Sequence, residues 1–162
     1  MQPMQTIRMW HIDQLKKAVP VLRYLLASIS TESITRYRDG GDGWTVLQVL
    51  GHLRDYEAIF VERVRLTLEQ DFPALPNPDP DELAAQNDYN AQYFQEVLDT
   101  WEASRVELVT LLETIEDDAI WERPGNHPRR GAFTLNDQLL LTVWHDMNHF
   151  EQITHIINDA LG

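Results

Sequence analysis

The chain has 162 residues, 43% of them hydrophobic and 24% charged, which is enough to bury a core without covalent staples. It has no cysteine, so disulfides and thiolate metal sites are excluded, and any metal must rest on His, Asp or Glu. The net charge of −13, with no basic patch apparent along the sequence, argues against nucleic acid as a partner.

Leu15, Val19, Leu22, Leu26 and Ile29 recur at spacings of three and four, which predicts a first helix over 7–30. Pro20 should kink or break it. The run RDGGDG (38–43) should end it. A second helix is expected over 45–70, opened by Thr45 as N-cap with Gln48 completing a capping-box pattern. Its apolar stripe is Val46, Val49, Leu50, Leu53, Phe60 and Val64. The stretch DFPALPNPDP (71–80) holds four of the eight prolines and should be extended. A third helix is expected over 81–115, a loop over 117–133, and a fourth helix over 134–161. No strand pair is predicted.

A faint repeat runs through this order. LLASISTESI (25–34) and LLETIEDDAI (111–120) share both leucines and both isoleucines, and each leads through a Gly-bearing loop to an aromatic and a threonine, Trp44-Thr45 and Phe133-Thr134. Chance resemblance between helical segments is one reading. Two helix pairs related by a pseudo-two-fold is the other. Ten extended residues over 71–80 reach roughly 30 Å, most of the length of a long helix. The linker can therefore run back along the bundle and leave the second and third helices parallel. The expected fold is all-α, a four-helix bundle with one Pro-rich crossover, and 1–162 is read as a single domain.

His145 and His149 in LLLTVWHDMNHFEQITHIIN (139–158) stand at i and i+4, one turn apart on one helical face. Two imidazoles so placed can converge on one ion. His52 lies in the apolar stripe of the second helix, and three neutral imidazoles can hold a divalent ion with positions left open for water or substrate. His155 falls off that face, and His127 and His11 are expected at the surface. HDMNH (145–149) looks like a zinc-protease helix with Asp146 for Glu, but Asp is a methylene shorter and only 13 residues follow His149. A di-iron carboxylate site lacks its paired Glu-x-x-His motifs. The five tryptophans are read as core or loop anchors.

GWTVLQVLGHLRDYE (43–57), FPALPNPDP (72–80) and HDMNHFEQI (145–153) together resemble the DinB-like (DinB/YfiT) superfamily of metal-dependent enzymes, over about residues 15–158. The resemblance implies an up-down-down-up bundle and a divalent metal, zinc or nickel, on His52, His145 and His149. It also implies, from relatives, a low-molecular-weight thiol cosubstrate such as bacillithiol or mycothiol, and a homodimer.

The expected function is thus a metal-dependent enzyme acting on a small molecule, with thiol S-transfer to an electrophile placed first. A metal-dependent hydrolase, or a non-catalytic bundle that binds a small ligand or dimerises, are the alternatives. Tyr56, one turn after His52, could line the site, and Asp55, Asn148 and Gln152 could orient the rings. No run of about 18 apolar residues is present, so no membrane span is expected. MQPMQTIRMW lacks a basic start followed by an apolar block, so a cytoplasmic location is expected.

Overall fold

The helices, in chain order, are α1 (Pro3–Leu26), α2 (Thr31–Arg36), α3 (Val46–Glu69), α4 (Pro80–Asn87), α5 (Phe94–Glu113), α6 (Asp118–Trp121) and α7 (Leu135–Leu161). They are taken from a computed structural model that describes residues 3–161; Met1, Gln2 and Gly162, which the single-domain reading includes, lie outside the described residues.

Side-chain pairs fix the directions of the long helices. Lys16 with Glu113 and Arg23 with Asp99 set α1 antiparallel to α5. Arg105 with Glu57 and Arg65 with Glu107 set α3 parallel to α5. His52 with His145 and Thr67 with Gln138 set α3 antiparallel to α7. The bundle is up-down-down-up, as the crossover predicts. None of its helices is long and apolar enough to cross a membrane, among the described residues.

Local chemistry explains most of the boundaries. At the start of α3 the expected capping box is present: Gln48 N donates to Thr45 Oγ1, and Thr45 N donates to Gln48 Oε1. Thr134 and Asp137 make the same reciprocal cap before α7. The first helix runs unbroken through Pro20 but ends at Leu26, earlier than expected, because Ser30 caps the separate short helix α2. The expected third helix is divided. Asp88 takes a left-handed φ of 40°, a 3₁₀ turn follows at Tyr89–Ala91, and α5 begins only at Phe94. Tyr89 causes the break by burying its ring where Gly51 lacks a side chain; a Cβ there would fall 2.4 Å from that ring.

The loop 117–133 contains what the sequence reading missed, a hairpin of β1 (Pro124–His127) and β2 (Gly131–Thr134). Its strands are too short, and too rich in Pro and Gly, to show an alternating pattern. The turn between them is legible: Pro128 follows His127, Arg130 N donates to His127 O, and Gly131 closes the turn at a φ of +72°.

The crossover is fastened along its length. Leu75 N donates to Asn126 O and Asn126 N to Pro73 O, which ties it to β1. Prolines lack N–H groups, but their carbonyls remain as acceptors. Arg63 Nε donates to Pro76 O at 2.8 Å, and the Tyr56 hydroxyl donates to Pro78 O at 2.8 Å. The linker therefore lies against the face of α3 that carries His52.

Two apolar clusters fill the bundle. One gathers Leu22, Leu50, Leu53, Leu98, Trp101 and Ile153 among others, and the second gathers Leu15, Phe60, Val64, Leu108, Leu135 and Leu139. Between their positions along α3, α5 and α7 lies a buried ionic layer of Glu57, Arg105 and Asp146.

Candidate metal centre

His52 stands nearly two turns into α3, on the side facing α7. The i, i+4 spacing of His145 and His149 stacks those two rings on α7 opposite it. The Nε2 atoms of His52 and His145 are 3.0 Å apart, and ligand nitrogens of all three rings lie within 4.8 Å of one another. The ring centroids are 4.6 to 5.0 Å apart. Two nitrogens on one tetrahedral zinc ion stand about 3.3 Å apart, so the rings fit a shared ion.

The electrostatics suit the same purpose. Burial, and secondarily His149, lowers the His52 pKa from 6.5 to about 3. Burial, and then the neighbouring His149 and His52, lowers that of His145 to about 2. Burial lowers His149 too, against the pull of Gln152. At neutral pH all three imidazoles are uncharged, each with a lone pair to offer. Among the described residues, the buried Nδ1 atoms of His52 and His145 have no protein hydrogen-bond partner.

His149 is oriented by a short relay. Gln152 Nε2 donates to Asp39 Oδ2 at 2.9 Å, which turns its carbonyl oxygen toward the imidazole. His149 Nδ1 lies 2.9 Å from that Oε1, so Nδ1 carries the proton and Nε2 keeps its lone pair free. Asp39 comes from the RDGGDG run, where sequence reasoning saw only a helix stop.

The three rings open into a cavity of about 400 Å³. Trp44, Phe60, Leu141 and Trp144 form its apolar wall, so two of the tryptophans face the site. Tyr56 packs 4.5 Å from the His52 ring and stacks on His145 at 5.5 Å. A second cavity, of about 460 Å³, lies between α1 and the end of α5, where Arg8 and Lys16 are already paired with Asp118 and Glu113.

Among the four residues expected to support the site, Tyr56 lines it and Gln152 orients a ring. The other two do neither. The Asp55 carboxylate is taken up by Arg54, Asn87 Nδ2 and the Tyr89 hydroxyl, on the side of α3 facing α4. Asn148 is exposed and donates to Trp144 O. His155, expected off the face of His145 and His149, is exposed. His127 is not at the surface: it is buried in the cavity wall, edge-on to Phe133, because the hairpin folds back over α7. Asp146 points to the ionic layer, bonded to Arg105, which removes it as a protease-like base.

The family model for the DinB superfamily matches residues 14–153. A Bacillus subtilis protein named "Putative metal-dependent hydrolase YfiT" is 32% identical over 151 residues, 88% of this chain and 76% of its own length. A protein of Oceanobacillus iheyensis with the same descriptive name is 28% identical over 146 residues, 90% of this chain and 83% of its own. The solved structure of YfiT from Bacillus subtilis, described as a probable metal-dependent hydrolase with an unusual four-helix bundle topology, covers 99% of this chain and 90% of its own, with a TM-score of 0.87 and 26% identity.

Proposed function

This chain belongs to the DinB superfamily, and from that premise we propose that it is a metal-dependent hydrolase of a small molecule, with His52, His145 and His149 holding one divalent ion. The observation that carries the reading is the convergence of three neutral imidazoles, from two helices, within 4.8 Å of one another in one cavity. An all-imidazole donor set suits zinc or nickel better than calcium or magnesium. When bound, such an ion polarises a carbonyl as a Lewis acid and lowers the pKa of a water molecule.

The chain's own residues do the rest. Asp39 and Gln152 hold His149 in one tautomer. Tyr56 is a fixed wall, its hydroxyl proton committed to Pro78 O and its pKa raised by burial. The aromatic wall offers apolar surface to a molecule bound beside the imidazoles. The cavity volume of about 400 Å³ suits a small molecule. Thiol S-transfer, expected first from the resemblance, would use the same nitrogens, but the relatives above are named for hydrolysis and no feature of this chain favours a thiol.

Elemental analysis of protein purified without a tag, together with a panel of esters and amides, tests the reading. About one zinc or nickel ion per chain is expected, lost along with hydrolysis in His52→Ala. Protein that holds no stoichiometric ion, or a variant that keeps both ion and activity, would refute it.

A further inference from the structure

The cavity above the imidazoles is basic in a protein that is not. The chain carries 13 Lys and Arg against 26 Asp and Glu. Among the described residues, eight of the basic side chains make an ion pair with a carboxylate. Five do not. Two of these, Arg38 and Arg123, donate to backbone carbonyls elsewhere. The remaining three, Arg63, Arg129 and Arg130, all line the cavity of the three histidines, and no Asp or Glu lines it.

Their settings differ in a useful way. Arg63 is buried and fixed, donating to Pro76 O and Asn77 Oδ1 with its guanidinium over Phe60. Arg129 and Arg130 stand exposed on the hairpin turn, and among the described residues neither makes an ion pair with a carboxylate. Burial lowers Arg63 to about 10, with Tyr56 resisting and Arg130 adding to the fall. Burial, and then all three guanidinium groups, lowers His127 between them. Three guanidinium groups lining one cavity with no carboxylate among them favour an anion there.

We propose that the molecule bound over the histidine centre carries a carboxylate or phosphate group, held by Arg129 and Arg130 in front of the fixed charge of Arg63. The oxyanion docks at the hairpin end of the cavity, and the bond to be hydrolysed lies at the imidazole end. The second half of this statement rests on the hydrolase reading; the anion subsite does not. Arginine suits the role because its planar fork meets two oxygens at once. The turn is also exposed, so binding weakens as salt rises.

Inorganic phosphate is the probe, followed by the fluorescence of Trp44 and Trp144 in the cavity wall. It is titrated into the protein as purified and into protein stripped by a chelator. Saturable binding is expected in both, weakened about tenfold or more in R129A/R130A and unchanged in K16A/K17A on the far side of the bundle. In parallel, a carboxylate-bearing aryl ester is compared with its neutral methyl-ester counterpart, and the charged one is expected to have the higher kcat/KM, by a margin that R129A/R130A abolishes. Phosphate binding that vanishes with the metal, or that the double variant leaves intact, overturns the proposal, as does equal turnover of the two esters. If neither ester is cleaved while phosphate binding still follows the two arginines, the subsite stands and it is the hydrolase reading that falls.

Discussion

Glu57 and Asp146 grip one guanidinium from two antiparallel helices. Arg105 donates to Glu57 at 2.6 and 2.7 Å and to Asp146 at 2.7 and 3.0 Å, and its Nη1 also reaches Leu15 O at 3.1 Å. One side chain of α5 thus joins all four long helices. Each carboxylate stands twelve residues after the threonine that caps its helix, Thr45 or Thr134. The faint repeat thus extends into α3 and α7, each of which opens on a capping threonine and, twelve residues on, presents an acid to Arg105. Burial opposes charge on Arg105, but the two carboxylates outweigh it and its pKa rises. Burial pushes both carboxyl groups up, with Arg105 resisting. Because Asp146 follows His145 directly, the same pairing sets the rotation of α7 that turns His145 and His149 toward His52.

Removing the cation should be severe. Arg105→Met leaves two buried carboxylates facing each other, and loss of one partner of a buried pair costs about 3–5 kcal/mol. Urea unfolding should show a loss of that order, with Asp146→Asn costing less because it keeps the shape and deletes a charge. A cost under about 1 kcal/mol for Arg105→Met would mean that the layer is incidental to stability.

The orientation of His149 gives a prediction on metal affinity. In Gln152→Ala, Nδ1 loses its acceptor, and such losses weaken ion binding about 10- to 100-fold. Asp39→Ala should weaken it less, since Gln152 remains but is free to flip. Chelator competition measures both. The stability of the metal-free forms should stay near that of the parent, and equal affinity in all three proteins would remove the relay from the site.

Acid should destabilise the metal-free protein through the histidines. Their folded pKa values lie below 6.5, at about 3 for His52 and about 2 for His145. Below pH ~6.5 the unfolded chain takes up protons that the folded one refuses. Stability is thus complete above that pH and falls as pH drops toward the folded values, by up to ~1.4 kcal/mol per pH unit for each histidine. The raised carboxyl groups of Glu57 and Asp146 act in the opposite sense. The histidine share is therefore read as the difference in slope between parent and His145→Leu, measured by urea unfolding between pH 7.5 and 5. Identical slopes would show that His145 is not held neutral.

The sequence carried what depends on period and local chemistry. The long helices follow from spacing, the start of α3 from Thr45 and Gln48, and the parallel pair from the reach of the prolines. The three histidines were legible because two share a helix face and the third sits where a polar ring is costly. What escaped was long-range. Asp39 matters only once α7 brings Gln152 beside it. Arg63, Arg129 and Arg130 belong to no basic run, and only the crossover and the hairpin bring them to one cavity. The break before α5 depends on Tyr89 finding space over Gly51. Only the hairpin turn carries a local signal, Pro128 followed by Gly131, and no strand pattern flanks it.

The contact between hairpin and crossover should couple stability to the cavity. A Cβ on Gly125 would lie 2.6, 2.7 and 2.8 Å from three side-chain atoms of Leu75, which is buried and cannot swing aside. Gly125→Ala must therefore push the crossover outward, at a cost of about 1–3 kcal/mol. The displaced segment includes Pro76, Asn77 and Pro78, the acceptors of Arg63 and Tyr56, while the three clustered histidines sit on α3 and α7. Metal affinity should hold and phosphate binding should weaken. Gly131→Asn is the control: nothing lies within 4 Å of a Cβ there, and asparagine tolerates its left-handed φ. If Gly125→Ala leaves phosphate binding at the parent level, the crossover does not position the basic end of the cavity, and Arg63 is held by α3 alone.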